Sequence, residues 1–168
     1  VQRVERRRFL AWTATGAAVV TGGLLARARA GGGALPDAIA RELRVLRPWE
    51  YRVVEAVGAR IVAPERAEVG RTVDATLAEL PPGDQRDVRR LLAVVEHGAP
   101  LGTGRWQRFT ALDAADQDAV LRSLERSPSA SLRGGFGVLK ALAYLALYQD
   151  PRSWPALGYA GPVIHFGR

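Results

Sequence analysis

Apolar residues recur every three to four positions through most of the chain. Trp49, Val53, Val57 and Ile61 fall four apart, with Val54 and Val62 beside them. That spacing lines one face of an α-helix. Pro48 suits the first helical position, where its missing N–H would have no partner in any case, and Pro64 marks the end. Val69, Val73, Leu77 and Leu80 repeat the spacing up to Pro81-Pro82-Gly83. Asp84 then reads as the N-cap of a helix with Val88, Leu91, Leu92 and Val95 on its apolar face and Gly98 at its end, after His97. Trp106, Phe109 and Leu112 come three apart and suggest a short helical turn. Asp113 reads as an N-cap with Asp116 three residues on, ahead of the inward-facing Val120, Leu121 and Leu124. Ser127-Pro128-Ser129 breaks that helix. No segment alternates with a period of two, so no strand is predicted.

From Phe136 to Tyr148 almost every position is apolar, with Lys140 the interruption. A helix apolar on all sides is expected to be buried. This stretch is therefore expected to be the central helix of a small bundle. Pro151 cannot continue it and pushes Asp150 out of the helical region. The following segment, rich in Gly, Pro and aromatic residues, suits an irregular tail folded back on the bundle. The expected fold is all-α, with five or six helices around a buried late helix. Its domain spans residues 48–168, preceded by a linker and short helix at residues 31–47.

Charge changes the picture at the N-terminus. The formal net charge is +7, but residues 1–30 hold six Arg and one Glu, and the other 138 residues come to +2. The basic balance is thus local, which weakens a nucleic-acid role. Arg6-Arg7-x-Phe9-Leu10 falls in register with a twin-arginine export signal. A charge-free stretch from Ala11 to Ala26 follows, then Ala28-Arg29-Ala30 as a small-x-small cleavage site. Residues 1–30 are therefore expected to be a signal peptide, and the protein periplasmic or otherwise exported. The apolar run is shorter than the roughly 20 residues that span a bilayer.

The absence of Cys excludes disulfides, Cys-ligated iron–sulfur sites and thiol nucleophiles. His97 and His165 have no metal-ligand neighbour at helical spacing. No Gly-x-Ser-x-Gly elbow occurs, and no Gly-x-Gly-x-x-Gly follows a strand. No catalytic, cofactor-binding or metal-ligating residue is therefore assigned. Gly134, Gly135 and Gly137 suit close backbone approach, within the bundle or against a partner. Lys140 shares a helical face with Arg133, Gly137 and Tyr144, and reads either as a contact to an acidic group or as a snorkelling side chain. Asp150 reads as a turn acceptor. Trp154 and Tyr159 read equally as core lids or as interface anchors.

Leu132-Arg133-x-x-Phe136-x-x-Leu139-Lys140, Tyr148-x-Asp150-Pro151, Trp154 and Gly158-Tyr159-x-Gly161-Pro162 together resemble the gluconate 2-dehydrogenase subunit 3 family. The family's usual longer acidic loop is absent from Pro64–Val73. The resemblance implies a small, cofactor-free, non-catalytic subunit. Its partner would be a large flavin-dependent dehydrogenase holding FAD, with a cytochrome c subunit as a further candidate and the twin-arginine translocase as the export partner. Membrane association would then come through the complex. Arg133, Lys140, Trp154 and Tyr159 become the candidate partner interface. A free-standing periplasmic binding or structural protein, and an oxidoreductase in its own right, stay open as alternatives.

Overall fold

The computed structural model describes residues 35–62 and 68–159. The export-signal residues Arg6, Arg7, Phe9, Leu10, Ala28 and Ala30 lie outside them, as do Pro64, Gly161, Pro162 and His165. Among the described residues there are seven α-helices and no strand: α1 (Asp37–Glu42), α2 (Pro48–Ile61), α3 (Val69–Ala78), α4 (Pro82–Ala93), α5 (Ala99–Gly102), α6 (Ala114–Glu125) and α7 (Ala130–Gln149). A π-helical turn, Val94–Gly98, joins α4 to α5, and 3-10 turns occupy Phe109–Ala111 and Pro151–Leu157. The five helices of ten or more residues carry the bundle, as the periodicity predicts.

The hub is α2 rather than the late helix. It packs on α3, α4, α6, α7 and the first 3-10 turn, whereas α7 packs mainly on α2, α3, α6 and its own tail, with α4 touching it more narrowly. Pro48 is the first residue of α2, as expected, and Glu50 turns back to accept the Arg47 N–H at 2.7 Å. Val53, Val73, Leu77, Leu92, Val95, Phe109, Val120 and Ala146 are wholly withdrawn from solvent and form the centre of the core.

Three buried carboxylates fasten irregular backbone to that core. Glu50 also accepts from Arg89 Nε at 3.0 Å. Asp74 takes the backbone N–H groups of Arg44, Val45 and Leu46 at 2.8, 3.0 and 2.7 Å, folding the segment before α2 onto α3. Glu96 takes Thr110 N–H at 3.1 Å and Thr110 Oγ1 at 2.7 Å, tying the first 3-10 turn to the π turn. Buried polar groups persist when hydrogen-bonded in this way.

Three local expectations are corrected. Asp84 is not the N-cap of α4, which starts at Pro82, so Asp84 lies in its first turn, where a carboxylate favours the helix dipole. Gly98 keeps right-handed helical angles and does not end the helix, which runs through the π turn into α5. Trp106 belongs to no helical turn: Arg108 is extended, so three-residue spacing has no meaning there, and Trp106 is 81 % exposed while Phe109 is buried. Asp113 does cap α6, accepting Asp116 N–H at 2.8 Å, but Asp116 pairs with Arg105 instead of closing a capping box.

Candidate docking surface

The 20 residues of α7 divide cleanly by side. Gly135, Leu139, Ala143, Ala146 and Leu147 are buried, with Leu132, Phe136 and Leu142 packed partly beside them. On the opposite side, Gly134, Gly137, Val138, Ala141, Tyr144 and Tyr148 are exposed. Val138 is 42 % exposed and Tyr148 60 %. The expectation that this helix is buried all round is therefore wrong. Much of its apolar content is Gly and Ala, which read as hydrophobic but bring little area to bury. A 3.6-residue repeat still leaves one face outward wherever no neighbour covers it.

The three glycines separate along the same line. A Cβ on Gly135 would meet Leu91 Cδ1 at 2.7 Å, so this position serves the approach of α4 to α7. A Cβ on Gly134 or Gly137 would meet nothing within 4 Å. Packing among the described residues thus explains Gly135 and leaves Gly134 and Gly137 unexplained. Each costs about 1 kcal/mol against Ala in a helix interior.

The tail closes the C-terminal end of α7 through carbonyls that the helix cannot satisfy itself. Asp150 N–H returns to Ala146 O at 3.2 Å, Ser153 Oγ donates to Leu147 O, and Trp154 Nε1 donates to Tyr148 O at 2.9 Å. Asp150 caps the 3-10 turn by accepting Arg152 N–H at 3.0 Å, and the Arg152 guanidinium holds its carboxyl below the usual range. Gly158 ends the turn in the left-handed region at φ 69°, which glycine adopts without strain. Tyr159 sets its ring edge-on to Trp154 at 5.2 Å, and Tyr144 stacks on Tyr148 at 6.2 Å. The four aromatics thus continue the α7 face onto the tail.

The four expected interface residues occupy unequal places. Arg133 is exposed, but its Nη1 donates to Ser127 O and Pro128 O at 2.6 and 2.9 Å, so it holds the loop before α7. Trp154 is half-buried and caps the helix. Lys140 and Tyr159 are exposed. The periodicity also signals Gly134, Gly137, Val138, Ala141 and Tyr148 as one face once the buried side of α7 is known. Away from α7, Tyr51 is pushed up to about 12 by burial, with Glu55 adding to the effect. Burial likewise raises Glu96 above the ordinary glutamate value. Both are internal.

Fold and surface together define a small all-α domain that leaves one apolar helix face without a neighbour among the described residues. Compared with known families, residues 48–161 match gluconate 2-dehydrogenase subunit 3, and the chain belongs to that family. The family's name marks it as an accessory subunit of a dehydrogenase. No curated protein and no solved structure matches the chain at a significant level. The residues that carry the resemblance mostly build α7 and its cap: Leu139 is buried, Arg133 and Trp154 bind backbone carbonyls, and Asp150, Pro151 and Gly158 shape the turn.

Proposed function

We propose that this chain is a non-catalytic small subunit that binds and stabilises a larger flavin-dependent alcohol or sugar dehydrogenase. FAD belongs to that larger subunit, and a cytochrome c subunit is a candidate third component. The observation that carries this reading is family membership across the whole bundle, from α2 through the cap of α7. The exposed apolar face of α7 supports it, because contiguous exposed apolar surface marks sites of association.

The twin-arginine motif extends the role to export. That route carries folded cargo, so one signal on this chain serves a bound subunit that lacks its own, and the complex works in the periplasm. The test is co-expression of the full chain with a candidate flavin-dependent dehydrogenase from the same genome. Dehydrogenase is expected to co-purify with the chain from periplasm, and to be lost from periplasm when the chain's gene is deleted. Arg6→Lys with Arg7→Lys keeps the charge but removes the guanidinium pair. This double variant is expected to leave both proteins in the cytoplasm. An exported, active dehydrogenase in the deletion strain would refute the escort role.

A further inference from the structure

We propose that the exposed face of α7 receives a helix of the larger subunit, and that this partner helix lines the edge facing Lys140 with carboxylates. The inference rests on the subunit role proposed above.

Eight large apolar side chains are exposed among the described residues, and five of them, Val138, Tyr144, Tyr148, Leu157 and Tyr159, belong to α7 and its tail. The surface is therefore concentrated rather than scattered, as a binding site requires. Gly134, Gly137 and Ala141 lie along its middle, and among the described residues nothing stands within 4 Å of where a Cβ on either glycine would project. Small residues at a helix crossing let the two axes approach to the short end of the usual 8–10 Å. Tyr144 and Tyr148 flank this shallow strip at its C-terminal half, stacked on each other, and supply large rigid contact area.

Charge selects the occupant. Between Ala130 and Gln149 there are two cations, Arg133 and Lys140, and no acid. Both fall on the same edge of the strip, in line with Gly137 and Tyr144, because residues three and four apart are helical neighbours. A second copy packed face to face through its own α7 would bring this edge only more positive charge. The chain's own terminal stretches share that sign: residues 1–34 hold six Arg and one Glu, and residues 160–168 hold His165 and Arg168 with no acidic side chain. Charge complementarity therefore points to another protein presenting Asp or Glu. The small-residue strip and its 20-residue helix point to a helix as the element that lies along it.

The test uses the full chain co-expressed with the dehydrogenase, and reads the amount of dehydrogenase recovered with it and the dissociation constant of the purified pair. Gly137→Leu and Ala141→Leu project into open solvent and are expected to keep the wild-type helical spectrum while weakening the pair at least tenfold. Lys140→Glu adds no bulk, so it separates charge from shape. It is expected to weaken binding several-fold and to flatten the salt dependence, whereas Lys140→Arg is expected to bind as wild type. The wild-type pair is expected to weaken toward about 1 M salt, where the screening length is ~3 Å. Wild-type recovery by Gly137→Leu and Ala141→Leu would overturn the α7 site while leaving the subunit role standing. Failure of the wild-type chain to recover any dehydrogenase would overturn both. A purified wild-type chain that is dimeric alone, and monomeric as Gly137→Leu, would assign the face to a second copy and overturn the acidic partner.

Discussion

Glu96 lies in the π turn, four residues before a proline. Pro100 has no N–H to give the Glu96 carbonyl, and its ring crowds that carbonyl. The ladder responds by widening, and Ala99 N–H bonds Val94 O one residue further back than in an α-helix. Glu96 is 2 % exposed, with its carboxyl on Thr110 and 3.9 Å from Arg108 Nε. Burial outweighs these partners and raises its pKa. The folded chain therefore holds this proton more tightly than the unfolded chain. The contribution is favourable below the unfolded-state value and is lost as pH rises through the folded-state value. Glu96→Gln keeps the shape and cannot ionise. Wild type should gain stability relative to Glu96→Gln between pH 7 and about pH 4, as read by denaturant midpoints at each pH. A difference independent of pH would show that burial does not govern this carboxyl.

At the scale of the element, α7 carries two glycines that packing among the described residues does not require. Gly134→Ala and Gly137→Ala should each stabilise the isolated domain by about 0.5–1 kcal/mol, since alanine restricts the unfolded chain and meets no neighbour in the folded one. Gly135→Ala should gain less or lose, because its methyl must displace Leu91, itself buried against α7. Thermal melts of the three variants rank them directly. Equal gains at all three positions would contradict the packing of α4 on α7. The cap of the same helix lies in the tail, so Trp154→Ala removes a carbonyl partner as well as an aromatic surface. Tyr159→Ala is the cleaner probe of the surface alone.

For the whole molecule, stability depends on a core contributed by all five longer helices. Leu92 is wholly buried, while Leu142 lies at the rim of the same cluster. Leu92→Ala should cost roughly 2–5 kcal/mol and Leu142→Ala distinctly less, because a rim site loses less area and leaves no closed cavity. The reverse order in urea unfolding would mean that α7 sits deeper than described. Around this core the ion pairs are mostly exposed: Arg60 with Asp118, Arg71 with Glu42, Arg152 with Glu68. Solvent and salt screen such pairs, so they shape the surface more than they hold it.

The sequence by itself determined that this is a helical protein, where α2 and α6 start, and most of the residues that make its core. Those are consequences of local geometry, since a four-residue apolar repeat and a proline at the first turn act within a single element. It also carried the family resemblance, written largely in the residues that build α7 and its cap. Which side of α7 is covered was decided only by tertiary structure. A run such as Phe136–Tyr148 is apolar on every side, so its pattern contains no instruction about which side meets a neighbour. The packing of α2, α3 and α6 supplied that choice, and Leu91 of α4 separated Gly135, which it meets, from Gly134 and Gly137, which meet nothing among the described residues. The outward Trp106 and the π turn were hidden for a similar reason. Both depend on how backbone hydrogen bonds rearrange around Pro100 and Thr110, and side-chain periodicity does not record where those bonds go.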